Sequence, residues 1–238
     1  MKKDSVAYTY IFALIVCVIC SFLLSFVSEG LRDKKELNVA LDMKKNILKA
    51  VQLKEPLEKG AEQDKILEIY KNKIQEMVLD QDGNVVEGKT PLEIEEGSSL
   101  MALYEYVEDG DILAYAFPII GKGLWSTLKG YLAIEPDGST IRGITFYSHG
   151  ETPGLGAEIE KEWFTSNFEG KKIWDVKQNE LRPVSVVKGK VEDKYSGEEK
   201  DFYVDGISGA TMTSKGVTAM IEKEVNQYET FFSKMRKN

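Results

Sequence analysis

The chain has almost no cysteine. Both of its cysteines, Cys17 and Cys20, lie in an apolar run near the N-terminus, so the rest of the chain contains no disulfide and must be stabilised by packing. Their spacing of three places both sulfurs on one face of a helix. Such a pair could bind a metal together with partner subunits, but small polarizable residues at a helix–helix contact are the commoner case.

The chain has one histidine, and it lacks nucleotide-binding motifs and excess positive charge. His149 is the single histidine, which excludes a histidine-rich metal site and favours a polar residue at a strand end over a catalytic base. Neither a Gly-x-Gly-x-x-Gly after a strand nor a Walker sequence occurs, so no dinucleotide or ATP site is indicated. A net charge of −8 over 238 residues argues against binding to DNA or RNA. We predict no metal site and no catalytic residue.

One long uncharged stretch is present at the N-terminus. Residues 5–28 contain no charged side chain, and residues 8–27 are mostly apolar, which is enough for one membrane-spanning helix after a short tail, residues 1–7. Lys2 and Lys3 would also suit a signal peptide. The apolar run is longer than a usual signal core and has no clean small-x-small cleavage site, so we predict a retained membrane anchor.

The charges that flank this anchor predict its orientation. Two lysines precede it, whereas five cations follow it closely, and the positive-inside rule would then keep the large domain in the cytoplasm. The five following cations are Arg32, Lys34, Lys35, Lys44 and Lys45.

The remainder of the sequence predicts an α+β fold. Helical spacing in residues 31–53 and 66–78 predicts a helical connecting region, residues 28–95, and the domain that follows is assigned to residues 96–238. Asp-Gly pairs at 109–110 and 137–138 indicate antiparallel hairpins. The predicted strands are residues 101–107, 112–118, 130–136, 141–147, 184–191 and 202–204, with a helix at residues 157–168 and a charged loop at 192–200.

Small residues precede the last predicted helix. Residues 205–214 read Asp-Gly-Ile-Ser-Gly-Ala-Thr-Met-Thr-Ser, and apolar residues then recur at helical spacing, so a helix begins near Thr213 or Ser214. Either hydroxyl can cap its N-terminus, where the positive end of the helix dipole favours a phosphate near Thr211. The structural alternative is a Ser/Thr-rich cap after a glycine turn.

A second motif, His-Gly-Glu-Thr-Pro-Gly-Leu-Gly, occupies residues 149–156 between a predicted strand and a predicted helix. The pair Pro153-Gly154 indicates a turn. Gly154 and Gly156 allow the backbone to approach a flat ligand closely or to adopt a positive φ. Taken alone, the segment could equally be a tight connection.

Both motifs resemble those of the FMN-binding protein family. The first matches the Asp-x-x-Ser-Gly-Ala-Thr signal of proteins that carry FMN as a phosphoester on threonine, which implies attachment at Thr211. The matching residues are Asp205, Ser208, Gly209, Ala210 and Thr211. The second is similar to the family's Glu-Thr-Pro-Gly-Leu-Gly segment, which lines the flavin. It implies contacts from Glu151, Thr152, Gly154, Leu155 and Gly156.

A third segment narrows the resemblance. Residues 118–131, Pro-Ile-Ile-Gly-Lys-Gly-Leu-Trp-Ser-Thr-Leu-Lys-Gly-Tyr, are similar to a segment of the NqrC proteins of sodium-translocating NADH:quinone reductases (Nqr). The G subunits of the related Rnf complex share the other two motifs but usually lack this run. Trp125 is most simply a core aromatic. We nevertheless include it among the cofactor-binding residues, as a side chain beside the flavin ring.

The resemblance implies a membrane-anchored electron-transfer subunit with covalent FMN, in a complex that oxidises NADH, reduces ubiquinone and moves sodium ions. Its partners would be the other membrane and flavin/iron–sulfur subunits, and a flavin transferase would attach the FMN. The flavin domain would face outward from the cell inner membrane, into the periplasm, which is opposite to the charge count. An Rnf G subunit and a flavin-free, membrane-tethered binding module in which residues 208–211 are only a helix cap remain as alternatives.

Overall fold

The computed structural model describes residues 6–53, 63–95 and 97–236, in two compact units. One unit ends at Asp42 and the other begins at Met43. The helices are α1 (Val6–Gly30), α2 (Arg32–Ala50), α3 (Gln63–Lys73), α4 (Glu162–Thr165) and α5 (Thr211–Met235). The strands are β1 (Ile74–Leu79), β2 (Met101–Glu108), β3 (Asp111–Lys122), β4 (Thr127–Ile134), β5 (Ile141–Ser148), β6 (Trp174–Asp175), β7 (Glu180–Leu181), β8 (Ser185–Val186) and β9 (Tyr203–Val204).

Helix α1 contains the predicted anchor. A candidate membrane span runs over Tyr8–Gly30, with a mean hydropathy of 2.8 in its most apolar window and none of that window buried in the protein. Cys17 and Cys20 are exposed on this helix. The N-terminal apolar helix of the prediction is therefore confirmed, while most of the predicted tail, residues 1–7, lies outside the described residues.

The second unit is built on a five-stranded antiparallel sheet in the order β1-β2-β3-β4-β5. The Asp109-Gly110 pair connects β2 to β3 with both residues at positive φ, 54° and 90°. That conformation belongs to the two-residue turn that matches the right-handed twist of a hairpin. The α+β class and the four predicted strands from β2 to β5 are confirmed.

Helices cover both faces of the sheet. On one face α5 packs against β3, where the rings of Phe117 and Tyr228 lie 4.3 Å apart. On the other face lie the C-terminal end of α2 and the turn after it, where Arg142 Nε donates to the carbonyl of Val51 at 2.8 Å. Aromatic and aliphatic side chains fill both interfaces, so burial of apolar surface holds the unit together without a disulfide.

Strand β1 is a correction to the sequence-based assignment. The predicted helix at 66–78 ends at Lys73, and Ile74 continues directly into β1, which pairs with β2 from Ile74↔Tyr106 to Leu79↔Met101. The predicted connecting region, 28–95, is therefore not wholly helical. The sequence-based boundary at 96 falls inside the unit that begins at Met43, and Glu96 itself lies outside the described residues.

Two further assignments change. The predicted helix at 157–168 is broken into a 3-10 turn (Gly156–Glu160), the single-turn α4 and a second 3-10 turn (Ser166–Phe168), because Lys161 has extended backbone angles, φ −78° and ψ 144°. The predicted strand at 184–191 is reduced to β8, which pairs with β9 in parallel. The remainder of that segment after β8, residues 187–191, forms a loop, and part of this loop lines the cleft described below.

Candidate functional site

A cleft of about 420 Å³ opens beside the N-terminus of α5. One wall is the loop that follows β8, and the other is the segment that leads into α5. The residues that line the cleft are Val186, Val187, Lys188, Gly189 and Lys190 on the first wall, with Gly206, Ile207, Ser208, Gly209, Thr211, Ser214 and Lys215 on the second. Three predicted FMN-motif residues, Ser208, Gly209 and Thr211, therefore face one cavity.

Helix α5 begins at Thr211, two or three residues earlier than the sequence predicted. Ala210 occupies the capping position and supplies no side-chain bond, so the predicted caps by Thr213 and Ser214 are wrong. The first helical backbone bond runs from Ser214 N–H to the carbonyl of Ala210, at 2.9 Å. The N–H groups of Thr211, Met212 and Thr213 precede that bond, which leaves this end of the helix with the partial positive charge that attracts anions.

The hydroxyl groups around this helix end differ in access. Those of Thr211 and Ser208 belong to exposed residues. Thr213 is 1% exposed, and its Oγ1 donates to Glu151 Oε2 at 2.6 Å. Ser214 is 5% exposed, and within the described part of the chain its Oγ has no hydrogen-bond partner. Thr211 and Ser208 are therefore the two hydroxyls of this cluster that a modifying enzyme could reach.

Asp205 binds the loop after β8, which forms the first wall of the cleft. Its Oδ1 accepts from the Val191 N–H and its Oδ2 from Lys190 Nζ, both at 2.7 Å. Burial by itself raises the pKa of Asp205, but these two hydrogen bonds outweigh it and hold the pKa below its usual range. At Gly206 a Cβ atom would lie 2.0 Å from the carbonyl of Val187, so the two walls meet too closely for any other residue there. Asp205 thus links the segment that leads into α5 to the loop after β8.

Glu151 connects three segments. Its Oε1 accepts from the backbone N–H groups of Trp125 at 2.9 Å and Ser126 at 3.4 Å, while Oε2 accepts from Thr213. The residue is 5% exposed. Burial opposes ionisation of this carboxyl, but the hydrogen bonds it accepts lower the pKa of Glu151 on balance. Its carboxylate joins the second motif both to the β3–β4 loop and to the first turn of α5.

Glycines make these junctions possible. A Cβ at Gly156 would lie 2.6 Å from Thr213 Oγ1 and 2.8 Å from Glu151 Oε2, and one at Gly123 would lie 2.5 Å from Glu151 Oε1. At Gly209, which has φ +75°, a Cβ would lie 2.7 Å from Leu155 Cδ2. Gly154 has φ +74°, and no atom of the described residues lies within 4 Å of its Cβ position, so its positive φ is the feature that favours glycine.

Apolar side chains are exposed on these same segments. The exposed fractions are 71% for Trp125, 42% for Leu155 and 55% for Met212. The interpretation of Trp125 as a core aromatic is therefore wrong. Thr152 is exposed, and its carbonyl accepts from the N–H groups of Leu155 and Ala157, both at 3.1 Å, which closes the turn.

Sequence reasoning missed the lysines of the cleft. Lys188 and Lys190 fall in a segment that was predicted to be a strand, and no local signal places that segment opposite Thr211. Lys215 lies within the predicted last helix, and the motif analysis assigned it no role in the site. His149 follows β5 directly, with Nε2 3.3 Å from Glu160 Oε2, as expected for a polar residue at a strand end.

Comparison with known proteins identifies the family. The FMN-binding domain family matches residues 123–226, a range that contains Trp125 and both motifs, residues 149–156 and 205–214. The NqrC protein of the Na⁺-translocating NADH-quinone reductase of Vibrio anguillarum is 32% identical over 240 residues, covering 91% of this chain and 89% of that protein. The chain belongs to this NqrC family. The corresponding protein of Pseudomonas aeruginosa is 29% identical and covers 99% of this chain and 98% of its own length.

Solved structures of the NqrC family agree with this fold. The NqrC protein from Parabacteroides distasonis superposes with a TM-score of 0.72 at 32% identity, covering 85% of this chain and 97% of that structure. NqrC from Shewanella oneidensis gives a TM-score of 0.70 at 27% identity, with coverage of 82% and 97%. The recognition made from the three motifs is confirmed, and membership of the NqrC family favours the Nqr interpretation over the Rnf G subunit.

Proposed function

We propose that this chain is the membrane-anchored electron-transfer flavoprotein subunit of a sodium-translocating NADH:quinone reductase, with FMN attached to Thr211 through a phosphoester. The observation that carries the proposal is the exposed hydroxyl of Thr211, which lies at the N-terminus of α5, in a cleft walled by lysines, inside the segment matched by the FMN-binding family. When bound, FMN would supply one-electron chemistry, and the chain would relay electrons within the complex.

The charges of the cleft suit a phosphate. Lys188 and Lys215 are exposed at its two walls, and neither has an ion-pair partner within the described residues. Lys190 is already paired with Asp205. Two available cations and the N-terminus of a long helix together favour an anion beside Thr211. A phosphodiester carries one negative charge, which this arrangement is able to balance.

The choice of Thr211 follows from the access of its neighbours. Thr213 is committed to Glu151, and Ser214 is buried, so neither presents a hydroxyl to another protein. Ser208 is exposed but precedes the helix and lies outside its first turn. Of the hydroxyls in this segment, that of Thr211 combines exposure with a position in the first turn.

Attachment requires a partner enzyme. We expect a flavin transferase that uses FAD and magnesium, in which the Thr211 oxygen attacks the phosphorus atom of the FMN half of FAD. The new P–O bond forms as the pyrophosphate bond breaks, AMP departs and the hydroxyl proton is released. No electrons are transferred in this step. The chain contributes the accessible hydroxyl and the positive surroundings that accept the incoming phosphate.

The isoalloxazine ring would lie against the exposed apolar side chains beside the cleft. Leu155 already contacts the position of Gly209, and Met212 follows Thr211 directly. Trp125 offers the largest exposed apolar surface of the group. Leu155 and Met212 lie beside the proposed attachment point, and Glu151 joins the loop of Trp125 to the first turn of α5. These links support contacts with the ring from Trp125, Thr152 and Leu155. Glu151 would act indirectly, by holding the loops that carry these residues.

Family membership also supports a location. With α1 as its anchor, the protein would lie in the cell inner membrane beside the other membrane and flavin/iron–sulfur subunits. The flavin domain would be periplasmic, although the lysines and arginine after the anchor favour the cytoplasm by count. Long exported domains often override that count.

Mass spectrometry of the protein tests the attachment. Produced together with a flavin transferase, the chain should gain the mass of one FMN less one water, and a single peptide containing Thr211 should carry it. Thr211→Ala should remain unmodified and folded, whereas the matched variant Ser208→Ala should still be modified. An unmodified parent, or flavin on another residue, would refute the proposal. A parent that loses its yellow colour on denaturation would support non-covalent binding, and a colourless one the flavin-free binding module.

A further inference from the structure

Ser214 has a buried hydroxyl with no hydrogen-bond partner. The residue is 5% exposed, and its Oγ meets no donor or acceptor within the described residues. Its backbone groups, by contrast, are both satisfied: the N–H donates to the Ala210 carbonyl at 2.9 Å, and the carbonyl accepts from Thr218 Oγ1 at 3.1 Å. Because buried hydroxyls are nearly always hydrogen-bonded, this one indicates a partner that the described residues do not provide.

The position of Ser214 identifies the chemistry of that partner. Ser214 lines the cleft and follows Thr211 by three residues on α5, so the two side chains are neighbours on one face of the helix. Lys215 follows Thr211 by four residues and lies on the same face, while Lys188 lies on the opposite wall. An O–H donor between two cations and a helix N-terminus suits a phosphoryl oxygen.

We infer that Ser214 Oγ donates a hydrogen bond to a phosphoryl oxygen of the group carried by Thr211, with Lys188 and Lys215 on either side of the same phosphate. The inference rests on the proposed attachment of FMN to Thr211. It makes Ser214 a positioning residue, because its hydroxyl fixes the phosphodiester and touches no part of the flavin ring. A linkage fixed at the phosphate restricts the rotation of the chain between phosphate and ring, and so limits the positions that the ring can occupy.

Thermal stability provides a test in which the sign of the effect differs between two forms of the protein. In protein made without a flavin transferase, Ser214→Ala removes a buried polar atom that has no partner, so its melting temperature should equal or exceed that of the parent. In the flavinylated protein the same change removes a charge-assisted hydrogen bond, so the melting temperature should fall. Ser233→Ala is the matched control, since Ser233 is a partly exposed serine on the same helix that does not line the cleft.

Phosphorus NMR tests the contact directly. In the flavinylated parent, the ³¹P resonance of the phosphodiester should differ from that of the same protein unfolded in urea. Ser214→Ala should move it toward the unfolded value, and Ser233→Ala should leave it in place. Lys188→Gln and Lys215→Gln should each move it as well and make it less sensitive to salt, whereas Lys71→Gln, an exposed lysine on α3, should not.

The two proposals fail in different ways. If the parent carries no flavin on Thr211, the proposed attachment is wrong, whatever Ser214 does. If Thr211 is flavinylated but Ser214→Ala changes neither the ³¹P resonance nor the stability difference between the two forms, the hydroxyl meets only water and the inference is overturned. A fall in melting temperature of equal size in both forms would show a purely structural role and would overturn it too.

Discussion

Gly156 and Gly154 lie in one turn but should tolerate a methyl group very differently. Gly156→Ala would place its Cβ 2.6 Å from Thr213 Oγ1 and 2.8 Å from Glu151 Oε2, between two atoms that form a buried hydrogen bond with each other. Either the bond lengthens or the turn moves away. The new Cβ of Gly154→Ala would meet no atom of the described part of the chain within 4 Å, and its cost comes from φ +74°.

The expected costs can be worked out from these contacts. Overpacking a tight site costs about 1–3 kcal/mol, and loss of a hydrogen bond to a charged group costs about 1.5–3 kcal/mol. Gly156→Ala should therefore lower the free energy of unfolding by roughly 3–5 kcal/mol, which for a unit of this size lowers the melting temperature by on the order of 10 °C. Gly154→Ala should cost about 1 kcal/mol, the usual penalty of a side chain in the left-handed region.

Urea unfolding of the two variants and the parent, monitored by tryptophan fluorescence and circular dichroism, measures both losses of unfolding free energy. In protein that carries FMN on Thr211, Gly156→Ala should shift the absorption spectrum of the flavin more than Gly154→Ala does. The reason is that Glu151 also binds the backbone of the loop that carries Trp125. Equal stability losses for the two variants would refute the reasoning. A Gly156 variant as stable as the parent would show that the contact between Glu151 and Thr213 contributes little.

Three further predictions concern other parts of the molecule. Because folding lowers the pKa of Glu151, its contribution to stability is present above the pKa of an unfolded glutamate and is lost as the pH falls through the lower folded pKa. Glu151→Gln should flatten this part of the curve of stability against pH, and an unchanged slope would contradict this assignment. Asp205→Ala should free the loop after β8 at a cost of about 2–3 kcal/mol, seen as faster amide exchange at Val191, and unaltered protection there would contradict the tie between the walls. The mature protein should keep its apolar N-terminal segment and remain with membranes in a carbonate wash, whereas an N-terminus near Glu29 would indicate a cleaved signal peptide.

Local patterns predicted the part of the fold that local interactions determine. Strands β2 to β5 alternate or run apolar between Asp-Gly turns, and each pairs with its neighbour in sequence, so pattern and topology agree. Strand β1 was missed because Ile66, Tyr70 and Ile74 recur every four residues and extend the helical spacing. What ends the helix is the pairing of Ile74 with Tyr106, a contact between residues far apart in sequence, which a local pattern does not contain.

The same distinction applies to the site. The motif residues of the cleft were predicted by resemblance, each from a short continuous segment. The bond between Thr213 and Glu151 joins residues 62 positions apart, and Lys188 reaches the cleft through a loop that was assigned to a strand. The predicted cap by Thr213 was wrong for the same reason, because a buried carboxylate from another segment competes for its hydroxyl.

Trp125 shows why a residue type is a poor guide to burial in this site. Tryptophan is usually buried because its large ring gains most from leaving water. Here the loop is fixed through its backbone, since Glu151 accepts the N–H groups of Trp125 and Ser126, and the position of the loop does not depend on burying the indole. Trp125 is left 71% exposed, yet its backbone N–H is held by a buried carboxylate. An exposed apolar side chain on a loop fixed in this way can contact a group outside the polypeptide. Because Glu151 also binds the first turn of α5, which carries the proposed attachment point at Thr211, we expect that group to be the flavin ring.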